Sequence, residues 1–380
     1  MSQLLSLQGV SGLPHGKAEE LRVLVVAQQL RRSAPGGIGT YIRGLVAGVA
    51  GVADATGPDI SLLASRSPAG SDPLAELGAP ALTSPLPAHI LTRAWHAGVL
   101  GAPAGFEIVH AASLHAPRAR CPLTVAVHDL AWRVVPETFP GRGRRWHDAA
   151  LARAIRRADR LLVPSPAAAD ELVGAGADAA RVEVVDPMYG CDHLPPADAP
   201  AAEALLGRLG VSAPYVLCVG TLEPRKNLAR LIEAYSRIRS SLPSPWPLVV
   251  VGPRGWGETV GPAPAPGVVM AGAVAAPVLA ALYAGARAMA YVPLHEGFGL
   301  PAVEAMAAGT PVVATAMPST GGAALEVDAF DVAGIAAALL EAATDEGRRL
   351  ELVTAGHARA AALTWSAAAA AHVQVWRRLA

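Results

Sequence analysis

The sequence predicts an α/β protein of two doubly wound, Rossmann-like domains facing a central cleft, and three observations carry that expectation. Short apolar or β-branched runs alternate with Ala-rich helical stretches along the whole chain, which is the pattern of parallel βαβ units. Its 380 residues suffice for two or three domains with buried cores. A proline-dense stretch without a strand pattern, HLPPADAPAAEALLGRLGVSAP (193–214), separates two strand-helix series of similar size.

In order along the chain, residues 1–21 read as a poorly ordered leader, because they lack a basic start and their apolar run is interrupted by Gln8, Gly9, Ser11 and Gly12. The N-terminal domain is expected over 22–192, with strands at 22–28, 60–65, 108–112, 123–128, 160–165 and 182–186. After the linker at 193–214, the C-terminal domain is expected over 215–363, with strands at 215–220, 247–252, 267–272, 288–293 and 310–315. The last helix, 364–380, is amphipathic and has no strand after it, so it is expected to pack back across the cleft. The most apolar segment, 275–294, holds Pro277 and Arg287 and resolves into a short helix and a strand, so no membrane span is expected.

Composition narrows the function classes. Thirty-one basic residues balance 31 acidic ones, so no global field draws the chain to nucleic acid, and no nucleic-acid partner is expected. Cys121, Cys191 and Cys218 stand far apart without a CxxC pair, which argues against a disulfide framework or a zinc site and fits a reducing cytoplasm. All but two of the basic residues are Arg; the exceptions are Lys17 and Lys226, and a lysine that persists in such a composition is a candidate for a chemical role, with chance as the alternative.

Ligands of doubly wound sheets bind at the carboxyl ends of the strands, so the loops after strands hold the candidates. APGGIGTYIRGL (34–45) offers Gly36, Gly37 and Gly39 before a helix, where free N–H groups suit a phosphate; a plain glycine turn is the alternative. A dinucleotide site is disfavoured, since the glycines come about eight residues after the strand and Ser65 and Arg66 stand where an acidic residue is required. GTLEPRKNLARLIEAY (220–235) puts Arg225 and Lys226 at a strand-to-helix loop, where a fork donor and a point charge can neutralise a diphosphate. Two solvated cations are the alternative, disfavoured by about some tenths of a kcal/mol at a helix start.

LHEGFGLPAVEAMAAGTPVVAT (294–315) carries Glu296 on a loop, an open GFG backbone, Pro301 at a first helical position and Glu304 one turn on. Glu304 alone is also an ordinary first-turn acid. His128 closes the strand LTVAVH, where it can donate to a bound sugar or serve a structural role. Arg153, Arg156, Arg157 and Arg160 line one helical face, and residues 117–160 hold ten Arg against four acids. A solvated face is favoured there over contact with anionic lipid or an anionic acceptor.

Together these residues resemble the family 4 retaining glycosyltransferases of GT-B architecture. EGFGLPAVEAMAAGTPVVAT has the family's paired-glutamate spacing, and GGIGTY, VHDL, VPSPAAADEL, GTLEPRKNL and LTWS occur in the expected order from about residue 22 onward. The resemblance implies that Arg225 and Lys226 bind the donor diphosphate, Glu304 the nucleotide ribose and Glu296 the donor sugar. It further implies that the backbone of Gly297, Phe298, Gly299 and Leu300 lines sugar and phosphate, that Gly37 and Gly39 contribute to donor binding, and that His128 reaches the sugar from the other domain. Glu296 and His128 are thus the catalytic candidates. The family needs no metal ion or other cofactor, and the chain has no Asp-x-Asp motif. Thr221 replaces the arginine common after the diphosphate-loop glycine, so Arg225 is expected to supply that charge; the stretch 316–331 is shorter than usual and borders the donor or acceptor site.

The expected activity is transfer of a hexose from a nucleotide-sugar to a glycan or lipid-linked acceptor with retained configuration. GDP-mannose is the first expectation for the donor and a UDP-sugar the second. Cytoplasmic placement is expected, with peripheral contact at the inner face of the plasma membrane through the Arg face as an option. The rival classes are a non-catalytic nucleotide-sugar-binding or partner subunit and a GT-B nucleotide-sugar epimerase.

Overall fold

A computed structural model describes residues 21–51, 57–67, 72–212, 214–244, 246–257 and 265–380. The leader expected at 1–21 therefore lies outside the described residues, Leu21 excepted. The chain divides into two compact units: the first contains the residues up to Leu130, Arg145–Gly190 and Thr364–Ala380, the second Ala131–Arg144 and Cys191–Leu363.

The first unit is built on seven parallel strands: β1 (Arg22–Val26), β2 (Asp59–Ser65), β3 (Ala81–Ser84), β4 (Ile108–Ala111), β5 (Leu123–Ala126), β6 (Arg160–Val163) and β7 (Val182–Val184). Their order is β3-β2-β1-β4-β5-β6-β7, so the direction of winding reverses between β1 and β4. Val25 of β1 pairs with Leu62 and His110, and the run Val23–Val26 is buried, as expected for a central strand covered on both faces. Helices α1 (Gly36–Gly51), α2 (Ala88–Ala97), α3 (Ala131–Val134), α4 (Gly141–Arg157) and α5 (Pro166–Gly174) follow in chain order; α3 belongs to the second unit.

The second unit has six parallel strands, β8 (Val216–Val219), β9 (Leu248–Val251), β10 (Val268–Gly272), β11 (Ala288–Tyr291), β12 (Val312–Ala314) and β13 (Leu325–Glu326), in the order β10-β9-β8-β11-β12-β13. Its reversal lies between β8 and β11. Helices α6 (Ala199–Arg208), α7 (Leu228–Ile238), α8 (Ala276–Gly285), α9 (Leu300–Ala307), α10 (Val332–Thr344) and α11 (Glu346–Ala361) complete it, and α12 (Trp365–Leu379) returns to the first unit.

Each strand expected from the sequence is present, and α8 with β11 fills the apolar segment 275–294. The two strands missed, β3 and β13, are short edge strands. The linker assignment needs correction: residues 193–214 contain α6, capped by the Asp198 side chain accepting from Ala201 N–H, and Ala202, Leu206 and Val211 pack into the core with Tyr215 and Leu282. The prolines precede the helix, and behind them the apolar residues recur at helical spacing. The expected boundaries 22–192 also shift, because 131–144 joins the second unit. There Trp256 Nε1–H donates to Thr138 O at 2.9 Å, and the Trp256 and Phe139 rings lie 5.5 Å apart.

Within the first unit, α12 lies on α1. A Cβ on Gly44 would come within 2.0 Å of the Trp365 ring, and one on Gly48 within 2.2 Å of the Trp365 carbonyl, so the two glycines form the groove that admits the tryptophan. A buried polar chain fastens the same helix. Tyr41 Oη lies 2.9 Å from His110 Nε2 and 2.8 Å from His372 Nε2, while Thr124 Oγ1 is 2.8 Å from His110 Nδ1. His372 Nδ1 donates to Ala368 O, leaving Nε2 to accept from Tyr41; Tyr41 in turn accepts from His110 Nε2–H, and Thr124 donates to His110 Nδ1. Among the described residues no helix is long and apolar enough to cross a membrane.

Candidate active site

The loops that follow β8 and β11, the strands flanking the reversal in the second unit, carry the main constellation. After β8 the chain forms a single 3-10 turn, Pro224–Lys226, and then Asn227 adopts φ 58° before α7. Asparagine tolerates this left-handed conformation, and its Nδ2 is anchored on Val292 O and Ala329 O at 3.0 and 2.8 Å. The loop after β11 is tied to it: Leu294 N–H donates to Arg225 O, and Arg225 Nη1 donates to His295 O, both at 2.9 Å.

Three donors meet on one oxygen of Glu296. Arg225 Nη1, Lys226 Nζ and Tyr291 Oη lie 2.8, 2.6 and 2.9 Å from Oε2, while Oε1 takes no hydrogen bond among the described residues. Burial by itself would raise the Glu296 pKa, but Arg225 and Lys226 outweigh it and hold the carboxyl at about 2. Lys226 is lowered from its ordinary value, first by burial and then by Arg225, more than Glu296 restores. Arg225 also reaches Glu223 Oε1, at 2.7 Å from Nη2, and burial raises the Glu223 pKa despite that contact. Glu223, Arg225, Lys226 and Glu296 therefore form an alternating, formally neutral chain of charges.

The GFG segment leads from Glu296 into α9. Gly299 has φ +95°, and a Cβ there would come within 2.2 Å of Met317 Sδ, so no other residue fits the turn without displacing its neighbour. Phe298 and Leu300 are buried, as is Gly297. Glu304, on α9, is also buried, but different partners hold it: His193 Nε2 lies 3.0 Å from Oε1 and Tyr283 Oη donates to Oε2 at 2.8 Å. The structure thus brings together Arg225, Lys226 and Glu296, with Gly297–Leu300 and Glu304 continuing on the same segment.

Gly37, Gly39 and His128 lie in the first unit. The 3-10 turn Gln28–Arg31 fills the interval between β1 and the glycines, and a Cβ on Gly39 would meet Pro35 Cβ at 2.3 Å, so this glycine serves the close turn into α1. His128 Nε2 donates to Ala112 O at 2.9 Å, and Nδ1 then accepts from Tyr189 Oη, so both ring nitrogens are engaged within the unit. The Arg face is corrected: Arg157 donates to Trp95 O and His96 O, and Arg160 donates to Asp159 O, so the four arginines do not form one free surface.

Sequence reasoning missed Glu223, Tyr291, Tyr283 and His193. Glu223 stands two residues before Arg225 in the same motif and could have been found there. The others reach the site only through tertiary packing.

Two family models match the chain: "Glycosyltransferase Family 4" over residues 35–189 and "Glycosyl transferases group 1" over 213–345. The O-antigen chain mannosyltransferase B of Escherichia coli is 30% identical over 271 residues, covering 68% of this chain and 71% of that protein. The chain belongs to the family 4 glycosyltransferases. This family 4 glycosyltransferase is also 31% identical over 319 residues to a D-inositol 3-phosphate glycosyltransferase of Xylanimonas cellulosilytica, covering 74% of this chain and 76% of that one. Among solved structures it resembles Anabaena HepE in complex with UDP and glucose, with TM-score 0.68 and 19% identity over 95% of this chain and 100% of that chain. The sucrose-phosphate synthase of Thermosynechococcus elongatus aligns with TM-score 0.69 and 20% identity over 95% and 99% of the two chains. At these identities the structures establish the fold: two parallel-sheet α/β units of the GT-B kind.

Proposed function

We propose that this glycosyltransferase moves a hexose from a nucleotide-sugar to a glycan or lipid-linked acceptor with retention of configuration. The observation that carries the reading is the convergence of Arg225 and Lys226 on Glu296, at the carboxyl ends of the two strands where winding reverses. Two fixed cations there can take a leaving diphosphate, and preorganised charge of this kind is a large catalytic term. The open Oε1 of Glu296 is available to a donor-sugar hydroxyl, and Glu304 to the ribose.

In the proposed step the C1–O bond to the diphosphate breaks and the acceptor oxygen bonds to C1 on the same face. The acceptor's hydroxyl proton passes to the departing phosphate oxygen. GDP-mannose is the first donor to test, supported by the mannosyltransferase relative, and a UDP-sugar the second, supported by the UDP-bound structural neighbour. Neither a metal nor another cofactor is assigned a step, and a cytoplasmic location accords with three free cysteines.

A thermal-shift screen over nucleoside diphosphates identifies the base, since a ligand that binds the native state raises the melting temperature. NMR of the products then separates the classes. Transfer gives a free nucleoside diphosphate and a new glycoside; an epimerase returns an intact nucleotide-sugar without acceptor; and binding without turnover in any acceptor extract overturns the enzymatic reading.

A further inference from the structure

We propose that His96, His115 and Arg153 of the first unit form a binding site for a phosphoryl group carried by the acceptor. The inference rests on the transferase reading and specifies the acceptor's chemistry. Three polar atoms drawn from three segments point to it: His96 Nε2 at the end of α2, His115 Nδ1 in the loop after β4, and Arg153 Nε on α4 are each buried without a hydrogen bond. A buried polar group without a partner costs about 1–3 kcal/mol, so the fold carries three such costs in one cluster. An oxyanion would relieve them.

The cluster is built and held. The two imidazoles lie parallel within 4°, with centroids 5.7 Å apart, and the Trp146 ring leans on both at 5.9 and 5.0 Å. Arg157 donates to Trp95 O, His96 O and Ala116 O, which fixes both histidine-bearing segments against α4. His115 follows β4 and Arg32 follows β1, the two strands that flank the reversal of this sheet.

Charge selects an anion over a metal ion. Arg153 and Arg157 act on His96; His96, Arg32, His147 and Arg153 act on His115; the acids nearby, Asp129 and Asp148, act on His147 instead. Burial comes first and these cations second in holding both imidazoles down at about 4. A phosphoryl group supplies several oxygens in a tetrahedral array for donors approaching from different elements, whereas a carboxylate offers two in a plane. Its charge would also favour protonation of both rings, so binding should tighten as pH falls toward the histidine range.

The test uses the full chain labelled at histidine Cε1 and titrated by NMR with inorganic phosphate, with His96→Gln and His115→Gln supplying the assignments. Vesicles containing phosphatidate, compared with phosphatidylcholine alone, form the second arm. The proposal expects the His96 and His115 midpoints to rise by about one pH unit, a tenfold gain in proton affinity. It also expects the rise to persist in Lys226→Ala and vanish in Arg153→Gln while the His372 signal stays in place. A response to soluble phosphate identifies a small phosphorylated acceptor, and a response to phosphatidate vesicles alone a lipid-borne one; both support the site. Midpoints that move with neither, or that lose their response in Lys226→Ala and keep it in Arg153→Gln, overturn it. The readout needs no turnover, so its failure leaves the transfer reading intact, and failed transfer leaves this site standing.

Discussion

Acid should release α12 from the first unit before either sheet melts, and the substitution His372→Phe should flatten that response. His372 is buried and is held at about 4 against an ordinary 6.5, by burial first and by His128 after it, with the bond to Ala368 opposing. Above pH 6.5 the imidazole is neutral whether the helix is docked or detached, and docking has its full strength. Between 6.5 and 4 the detached helix binds a proton that the docked one refuses, so docking weakens by about 1.4 kcal/mol per pH unit as pH falls. The shift of 2.5 units amounts to about 3 kcal/mol by pH 4. His110, lowered for the same reason, adds a loss of the same sign in both proteins.

In His372→Phe the slope due to residue 372 disappears, but Tyr41 loses its acceptor, which costs about 1–3 kcal/mol near neutrality. The two stability curves should therefore converge, crossing at about pH 5 if the cost is about 2 kcal/mol. Hydrogen exchange of the Trp365–Leu379 segment, corrected for the intrinsic pH dependence of exchange, reads the opening free energy directly. Curves that stay parallel from neutrality to acid would refute the reasoning, because they would mean that His372 does not titrate on opening.

Lys226→Ala removes one charge-assisted contact from the diphosphate site and should weaken nucleoside diphosphate binding by about 10- to 100-fold, or about 1.5–3 kcal/mol, as calorimetry can measure. Glu296→Gln should abolish transfer yet leave nucleoside diphosphate binding equal or tighter, since it strips one negative charge from a neutral cluster; transfer at the parental rate would remove Glu296 from the mechanism. Gly44→Ala drives a methyl group into Trp365 and should destabilise the first unit by about 1–3 kcal/mol in a denaturant titration, with α12 losing exchange protection first. Gly299→Ala combines a strained φ with a clash against Met317, and its loss of stability should exceed that of Gly297→Ala.

Much of this arrangement was legible because it is local. Buried parallel strands read as continuous apolar runs, and Arg225, Lys226, Glu296, Gly299 and Glu304 stand on short loops directly after them. Contacts made by distant residues were not legible. Residues 41, 110 and 372 show nothing of their shared proton chain in one dimension, and Gly44 and Gly48 read as ordinary helix glycines until Trp365 fills the groove. His193 was assigned to a linker, yet it holds Glu304. β13 escaped notice since two residues cannot establish a period.

The lysine that stood out against an arginine-rich composition now has a physical account. Its Nζ serves two acceptors at 2.6 Å, Tyr291 Oη and Glu296 Oε2, and lies 5.0 Å from the Tyr291 ring centroid. Its stem runs beside Gly220, where a Cβ would come within 3.7 Å of Lys226 Cδ. A compact ammonium with three rotatable donors meets those demands. A guanidinium presents a rigid planar fork, and Arg225 already directs one toward the same Glu296 oxygen while spanning to Glu223. Two forks cannot share that oxygen at hydrogen-bond distance with Tyr291 as a third donor. The site thus separates two tasks: Arg225 bridges two carboxylates with fixed geometry, and Lys226 supplies a point charge that can turn from Glu296 toward an incoming phosphate without dismantling the bridge.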